Sequence, residues 1–420
     1  MHLSVIQIRE LKTDIEPIYP IHMKKSPVIK IPKGFFFSVT EAAIKKAGRK
    51  DLALIFSEVE SSIAGTFTTN AVKAAPVQLC LRKIRSGRGQ AIVVNSGNAN
   101  ACTGRQGMKD AQDIVAGISK QLDIGTALTY ICSTGVIGTP MPMQRIIPAI
   151  GSLTGGIGNA SFEDVATAIM TTDTFPKIAS RSLRIGGKQG IIAGICKGAG
   201  MIAPNMATML CFILTDIAVE KQTLQTALRS SVKKSFNRIT IDGDMSTNDT
   251  ALVMANGILG NKPLTKNFPA FPSFRKALDD LCYELSRLIV RDGEGATKLV
   301  EVFVKNAKNE GDAEKAALAI ANSSLVKTAI YGNDANWGRI MAAAGYSRAK
   351  FNPEKADIFF NKVQVVKKGV MNNRDKEATA EMKGKELKIT VDLHAGKASA
   401  KVLTCDLTED YISINAEYRT

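Results

Sequence analysis

The chain has 420 residues, of which 45% are hydrophobic and 22% charged, and its formal net charge is +16. This length and composition are typical of a globular protein with one large or two medium domains, and they exclude collagen-like and disordered chains. No apolar run approaches the roughly 18 to 20 residues that a membrane-spanning helix requires. We therefore predict that no segment is embedded in a membrane.

The excess positive charge is dispersed in short clusters such as 45–46, 233–234 and 367–368, and aromatic residues make up only 6% of the chain. Nucleic-acid-binding surfaces usually combine longer basic tracts with interleaved aromatics or a recognised motif, and the sequence contains neither. These features favour a solvated basic surface, so no nucleic-acid partner is expected.

The cysteines favour buried, reduced thiols, because the seven are odd in number, widely scattered and never arranged as CxxC. Neither a disulfide framework nor a metal site is therefore expected. The leader, residues 1–30, lacks a basic start followed by an apolar core, and it carries Glu10, Asp14 and Glu16. Targeting peptides rarely have these features, so we predict an unprocessed cytoplasmic chain with a loosely ordered leader.

The first predicted elements are apolar strands that run into polar loops. Strands are predicted at the start of 51–70 and of 91–104, and the second runs into a loop rich in glycine and asparagine. A helix is predicted over 109–121. The apolar entry ICSTGVIGTPMP follows, with Thr134 and Gly135 in a loop. Such loops offer backbone amides to a ligand.

Four further helices are predicted, over 162–170, 221–236, 273–289 and 312–323. Ser161 and Asp164 form a capping box at the start of the first. Near the C-terminus, apolar and polar residues alternate over 387–393 and a second strand is predicted over 398–407, with a turn between them. This pattern predicts a hairpin with one buried face. We assign the chain to the α+β class, with layered sheets and covering helices.

One stretch, KGAGMIAPNMATMLCFILTD at 197–216, places two glycines, a proline and an asparagine directly before a threonine that opens an apolar run. Its glycines fit a dinucleotide-binding pattern, but that pattern works only where a helix begins. Pro204 and Asn205 occupy the positions of the first helical turns, so a dinucleotide cofactor is not expected.

Histidine-based hydrolase triads are also disfavoured, because the only histidines are His2 and His22 in the leader and His394 in a strand-like pattern. A threonine at a newly made N-terminus needs no histidine, since its own α-amine is the base. Ala207 and Thr208, which follow several small residues, are suited to such self-cleavage. A strand entry packed among small residues stays open as the alternative.

Several long motifs place this stretch in a wider pattern. They are GRKDLALI, GTFTTNAVKAAPV, NSGNANACTG, TTDTFPK, KGAGMIAPNMATML, SFNRITIDGDMSTNDT, DGEGATKLVEV and YGNDANWGRIMAAAGYS. Together they resemble the ornithine acetyltransferase family, bifunctional enzymes of arginine biosynthesis, from about Ile31 to Thr420. The resemblance implies a self-processing N-terminal-threonine enzyme with the fold that ornithine acetyltransferases share with certain aminopeptidases.

The resemblance further implies that the chain cleaves itself between Ala207 and Thr208. An α chain of residues 31–207 and a β chain of residues 208–420 would result, and two copies of each would form a heterotetramer. Thr208 would then carry the acetyl group as an ester.

Other site residues come from the same resemblance. The pair Thr134 and Gly135 in CSTGVIG would form the oxyanion hole, where a glycine lets backbone amides approach developing negative charge. The implied substrate contacts are Thr174, Lys197, Thr208, Glu294, Asn415 and Thr420. Lys197 suits a substrate carboxylate and Glu294 an ammonium group, and the other contacts offer neutral hydrogen bonds.

The implied reaction is ping-pong transfer of acetyl from N-acetylornithine to glutamate, with neither metal nor cofactor. The sequence leaves open whether acetyl-CoA is a second donor. Two alternatives also stay open. One is an N-terminal-threonine amidohydrolase or aminopeptidase of the same fold, in which water replaces glutamate. The other is a basic binding protein in which the threonine is structural.

Overall fold

Two β-sheets covered by helices organise the part of the chain that the structure describes, residues 29–203 and 209–417 of a computed structural model. The larger sheet has eight strands: β1 (Phe35–Thr40), β2 (Leu52–Phe67), β3 (Arg88–Asn95), β4 (Thr129–Ser133), β5 (Lys177–Ile185), β6 (Lys188–Lys197), β7 (Leu210–Thr215) and β8 (Thr250–Ala255). Its helices are α1 (Ala75–Lys83), α2 (Gly104–Gln121), α3 (Met143–Gly155), α4 (Phe162–Ala168), α5 (Lys221–Lys234) and α6 (Phe271–Arg291).

The smaller sheet, of six strands, contains β9 (Leu299–Ala307), β10 (Asp357–Phe360), β11 (Val363–Lys367), β12 (Val370–Met371), β13 (Glu386–Asp392) and β14 (Ala398–Cys405). The helices of this region are α7 (Glu310–Asn322), α8 (Ser324–Tyr331), α9 (Trp337–Tyr346), α10 (Asp375–Glu381) and α11 (Glu409–Ala416). The α+β assignment is confirmed, because both sheets mix parallel and antiparallel pairs and helices cover them in layers.

The strand order of the larger sheet is β4-β3-β2-β8-β7-β6-β5, with β1 paired to β2. Both of its faces are buried, as β7 illustrates. Leu210, Phe212 and Leu214 pack into the core on one side, while Cys211 and Ile213 pack into the core formed with α5 and α6 on the other. Strands buried on both faces are continuously apolar, which explains why the sequence LCFILT shows no alternation.

The smaller sheet is buried on one face. Val300, Val302 and Val304 of β9 pack against alanine-rich α7 and against α9, while Glu301 and Phe303 between them point to the other side. A one-sided sheet therefore gives the alternating pattern that the sequence shows here.

The predicted helices are all present, with ends that differ by a few residues. The largest difference is at α2, which begins at Gly104 rather than at residue 109. The capping box before α4 is confirmed, because the Ser161 hydroxyl accepts from the Asp164 amide and the Asp164 carboxylate accepts from the Ser161 amide. No helix begins within residues 198–203 after β6, and Pro204 and Asn205, on which the rejection of the dinucleotide pattern rests, lie outside the described residues.

The predicted C-terminal hairpin is wrong. Strands β13 and β14 form where alternation predicts them, but β9 lies between them, parallel to β13 and antiparallel to β14. Alternation reports which face of a strand is buried, whereas the neighbour of a strand depends on long-range packing. The short connection between the two strands therefore crosses over the end of β9 instead of forming a tight turn.

All seven cysteines are free, six of them buried as predicted and Cys102 exposed.

His394 lies just after β13. One of its ring nitrogens lies 2.9 Å from an Asp357 oxygen, and the other lies 3.6 Å from an Asp392 oxygen. Within the described ranges, no helix is both long and apolar enough to cross a membrane.

Candidate active site

A cavity of about 190 Å³ opens at one edge of the larger sheet, where β4 and β6 end and β8 begins. We call it the reaction cavity. Five residues predicted from the sequence line it: Thr134, Gly135, Lys197, Glu294 and Asn415. They come from four separate segments of the chain, so only the folded protein brings them together.

Lys197 is the last residue of β6 and is only 3% exposed. Its Nζ donates hydrogen bonds to Thr171 Oγ1 at 2.8 Å and to Thr134 Oγ1 at 3.2 Å. An Asp173 oxygen lies 4.0 Å away. Burial lowers the pKa of Lys197, against the opposing effect of Asp173. The ammonium group thus has one distant carboxylate and two neutral acceptors, and it faces the cavity.

The turn at Thr134 and Gly135 leaves two donors for a ligand. The Thr134 amide is already used, since it donates to the Asn95 carbonyl at 3.0 Å. The Thr134 hydroxyl accepts from Lys197, and its own hydrogen has no acceptor among the described residues. The Gly135 amide meets no acceptor among the described residues. The available pair is therefore one side-chain hydroxyl and one backbone amide.

Gly135 can only be glycine. Its φ is +132°, and a Cβ at this position would lie 2.2 Å from the carbonyl carbon of Gly97. A side chain here would force the loops after β3 and β4 apart.

Glu294, which follows α6, supplies the negative charge of the cavity. The Nδ2 of Asn415, on α11, donates to Glu294 Oε2 at 2.8 Å. Gly200 gives this carboxylate its space, because a Cβ on Gly200 would lie 2.2 Å from the same oxygen. The second glycine of the KGAG motif thus has a packing reason that its sequence alone does not reveal.

Carboxylates fix the chain on both sides of residues 204–208. Before them, Asp242 accepts hydrogen bonds from the amides of Met201 at 2.6 Å and Ile202 at 2.8 Å. After them, Asp249 Oδ1 accepts from the Met209 amide at 2.9 Å. Met201 has a φ of +56°, which a non-glycine residue adopts only when surrounding contacts impose it.

Asp249 is fully buried, and its Oδ2 accepts no hydrogen bond from any described residue. Burial raises the pKa of this carboxyl group well above its ordinary value, although the Met209 amide and Lys197 act in the opposite direction. A carboxyl group with a raised pKa therefore lies at the start of β8, beside the backbone that enters β7.

Behind Lys197 lies a buried ionic cluster that the sequence analysis missed. Lys177 has no exposed surface, and its Nζ lies 2.6 Å from Asp173 Oδ1 and 2.5 Å from Asp292 Oδ2. Asp173 also accepts from the Gly198 amide at 2.6 Å. Burial alone would raise the pKa of Asp173, but Lys197 and Lys177 outweigh it and lower the pKa to about 2.

Thr174 belongs to this cluster rather than to the cavity wall. Its hydroxyl and its amide both donate to Asp292, the amide at 3.0 Å. Thr171 and Thr172 of the same TTDTFPK motif line the cavity instead. Ala207, Thr208 and Thr420 lie outside the described residues.

Asn248, also missed, ties three loops of the site together. Its Nδ2 donates to the Ala99 carbonyl at 2.6 Å and to the Ser133 carbonyl at 2.8 Å. Asp173, Asp292 and Asn248 all lie in the motifs TTDTFPK, DGEGATK and STNDT or directly beside them. For the two aspartates, a charge beside an apolar segment was the available signal, since buried charges need partners.

Comparison with known proteins places this chain in a family. A sequence model of the ArgJ family matches residues 36–420. The chain belongs to the ArgJ family. Two ArgJ relatives are named arginine biosynthesis bifunctional protein ArgJ. The one from Geobacter sulfurreducens is 53% identical over 92% of this chain and 99% of its own. The one from Caldanaerobacter subterraneus is 49% identical over 93% of this chain and 98% of its own.

Two solved structures also match. The arginine biosynthesis bifunctional protein argJ of Bacillus halodurans is 47% identical with a TM-score of 0.48, covering 49% of this chain and 97% of that one. Ornithine acetyltransferase of Mycobacterium tuberculosis, complexed with ornithine, is 32% identical with a TM-score of 0.36, covering 41% and 92%. This ArgJ chain is an acetyltransferase of arginine biosynthesis.

Proposed function

We propose that the protein cleaves itself between Ala207 and Thr208 and then transfers acetyl from N-acetylornithine to glutamate through an acetyl ester on Thr208. The observation that carries this proposal is the reaction cavity itself, which combines the Lys197 ammonium, the Glu294 carboxylate and two available donors beside them. Lys197 pairs with Leu210 across β6 and β7. Leu210 is only two residues after Thr208 in the chain.

Self-cleavage begins when the Thr208 hydroxyl attacks the Ala207 carbonyl carbon, and the peptide bond gives way to an ester. Water then hydrolyses the ester, which leaves a carboxylate on Ala207 and a free α-amine on Thr208. The hydrogen bonds that hold Met201, Ile202 and Met209 support this step, because they fix the backbone on both sides of the cleavage segment.

In the first half of the transfer, Thr208 Oγ1 attacks the acetyl carbonyl of N-acetylornithine. The Thr134 hydroxyl and the Gly135 amide stabilise the oxyanion, and the α-amine of Thr208 passes the hydroxyl proton to the leaving ornithine nitrogen. In the second half, the α-amine of glutamate attacks the ester, N-acetylglutamate leaves, and the Thr208 hydroxyl is restored.

Lys197 pairs with the α-carboxylate that both amino acids carry, and Glu294 pairs with the side-chain ammonium of the donor. Asn415, Thr420 and Thr174 are proposed to add neutral hydrogen bonds; for Thr174 this requires one beyond those it makes to Asp292. The chemistry as proposed uses no metal or cofactor, and acetyl-CoA is proposed as a second acetyl donor.

The products of cleavage would be an α chain that comprises the leader and residues 31–207, and a β chain of residues 208–420, in a cytoplasmic heterotetramer with two copies of each. The sheet order supports an assembly that survives the cut, because β7 and β8 of the second chain lie between β2 and β6 of the first. The leader, residues 1–30, is assigned no role in catalysis.

Mass analysis of the purified wild type and Thr208→Ala tests the proposal. We expect two chains from the wild type and one from the variant, and the wild-type β chain should gain the mass of one acetyl group when it is mixed with N-acetylornithine alone. Cleavage that persists in Thr208→Ala would contradict the assignment of the nucleophile.

A product assay separates transfer from hydrolysis. With N-acetylornithine and glutamate present, we expect N-acetylglutamate to form in step with ornithine. Acetate in place of N-acetylglutamate would indicate an amidohydrolase. An intact wild-type chain with no acetyl adduct would indicate a binding protein.

A further inference from the structure

A second cavity, of about 270 Å³, adjoins the reaction cavity, and Gly135, Val136, Thr171 and Thr172 form walls of both. We call it the basic cavity, because Lys45, Lys46 and Arg49 all line it. The shared wall includes Gly135, whose amide is one of the two available donors. The basic cavity therefore begins next to one of the two proposed oxyanion donors.

Arg49 is held in place by neutral groups. Its Nη2 donates to the Met170 carbonyl at 2.7 Å, to Ser96 Oγ at 3.3 Å and to the Ala168 carbonyl at 3.5 Å. The guanidinium has five N–H donors, and those on Nη1 and Nε contact no acceptor among the described residues. None of the described carboxylates lies within ion-pair distance of it. The side chain is thus oriented by carbonyls while its charge remains available to a ligand.

Two carboxylates also line the basic cavity, Asp51 and Glu417. The Asp51 carboxylate is already hydrogen-bonded, since its oxygens accept from the backbone amides of Ala42 at 2.7 Å and Ile44 at 2.6 Å. These amides belong to the loop that also carries Lys45, Lys46 and Arg49. Lys46 is exposed, and the described part of the chain gives it neither a hydrogen bond nor an ion pair. Among the described residues that line the cavity, Arg49 and Lys46 therefore carry the positive charge that favours an anionic group.

The proposed reaction creates a need for such a subsite. Donor and acceptor share an α-carboxylate, but the donor side chain ends in an ammonium group and the acceptor side chain ends in a carboxylate. Glu294 attracts the first and repels the second, so one wall cannot serve both. The acceptor carboxylate needs cations within reach of the same reaction centre, and the basic cavity provides them.

We infer that the basic cavity is the subsite for the side-chain carboxylate of the acetyl acceptor, with Arg49 as its main ligand and Lys46 as a second. This inference rests on the proposed function. Arg49 can offer a carboxylate two parallel N–H donors, and Lys46 adds a point charge at the rim. The donor is held without these two residues.

Steady-state kinetics of Lys46→Met and Arg49→Met test the inference, with Lys50→Met as control. Lys50 lies in the same loop and carries the same charge, but it does not line the basic cavity. We expect the KM for glutamate to rise about tenfold or more in Arg49→Met and about threefold in Lys46→Met. The rate of ornithine release from N-acetylornithine in a single turnover without glutamate should not change in any of the variants.

Glutamine as acceptor provides a second readout. It has the shape of glutamate without the charge, so the wild type should use it poorly and Arg49→Met should lose most of that preference. Because the readout is a ratio within one variant, a partly unfolded sample cannot produce it. An unchanged preference would overturn the inference.

Three further outcomes would also overturn it: an equal rise of the KM values for donor and acceptor, an effect of Lys50→Met as large as that of Lys46→Met, or a defect confined to acetyl-CoA as donor. The last would assign the cavity to the phosphates of that donor. Failure of the proposed function is seen separately, as a wild-type protein that forms no N-acetylglutamate from N-acetylornithine.

Discussion

The two sheets place their charged residues in opposite ways. At the edge of the larger sheet, Lys177 is fully buried between Asp173 and Asp292, directly behind Lys197. On the smaller sheet, Glu301 forms ion pairs with lysines whose side chains remain nearly half exposed. Burying an ion costs several kcal/mol before its partner compensates, whereas an exposed pair costs and gains little. The buried charges therefore lie at the end of the larger sheet that carries the candidate site.

The sheets themselves explain the difference. The larger sheet is covered on both faces, so a charge at the end of β6 has nowhere to meet solvent except the reaction cavity. The smaller sheet leaves one face open, and Lys388 and Lys401 extend over the Phe303 ring with their ammonium groups in water. The first arrangement orients the lysine that lines the reaction cavity, and the second keeps charged groups on an exposed surface.

The largest expected effect is on stability, from Lys177→Met. The substitution leaves Asp173 and Asp292 as uncompensated buried carboxylates, and we expect it to lower the free energy of unfolding by about 3–5 kcal/mol. Denaturant unfolding measures this loss. Lys401→Met, on the open face of the smaller sheet, is the matched control and should change stability by less than about 1 kcal/mol. Equal losses in the two variants would remove the distinction between the sheets.

Thr134→Val should reduce the rate of transfer more strongly than it reduces stability, although it also removes one of the two neutral acceptors of the Lys197 ammonium. Valine keeps the shape of threonine but cannot donate to an oxyanion, and the loss of one such donor costs about 3–4 kcal/mol in the transition state, or roughly a hundredfold to a thousandfold in kcat. Thr390→Val on half-buried β13 is the control, and an equal loss of activity in both variants would argue against a specific role for Thr134.

The pH dependence of the free energy of unfolding should show the titration of the Asp173 carboxyl group. Its pKa falls from 3.8 to about 2 on folding, so the folded state holds fewer protons than the unfolded state between these values. The corresponding contribution of about 2 kcal/mol is complete above pH 4 and is lost as the pH falls towards 2. The slope of unfolding free energy against pH over this window should be shallower in Asp173→Asn. A variant that keeps the wild-type slope would show that other groups produce it.

The smallest effect is expected from Glu301→Gln. This exposed network should contribute less than about 1 kcal/mol, and salt should screen most of it. Unfolding of the wild type and the variant at low and at high ionic strength measures the difference. A large effect that persists in salt would mean that the open face of the smaller sheet is more constrained than its exposure indicates.

Sequence periodicity predicted the helices well, because α2, α5 and α6 each bury one continuous stripe. It failed at the C-terminal hairpin, where β9 lies between two strands that are adjacent in the chain. The order of strands depends on contacts between residues nearly a hundred positions apart, and local alternation carries no information about them.

The candidate site was predicted in part. Five of the residues implied by the family resemblance line one cavity, and Lys197 could be singled out as a charge between an apolar strand and a glycine loop. The cluster of Lys177, Asp173 and Asp292 could not be assigned from spacing, because the ion pair between Lys177 and Asp292 joins segments over a hundred residues apart. The need for a glycine at position 200 is likewise explained only by the fold, which packs the Glu294 carboxylate against it.

The strand order of the larger sheet also bears on the order of folding and of the proposed cleavage. Residues 31–207 alone would leave the facing edges of β2 and β6 bare, and residues 208–420 alone would leave β7 and β8 as an isolated pair. Bare edges of this kind invite aggregation. Under the proposed cleavage, the peptide bond must therefore be cut after the chain has folded. The larger sheet must be complete before the active enzyme is produced.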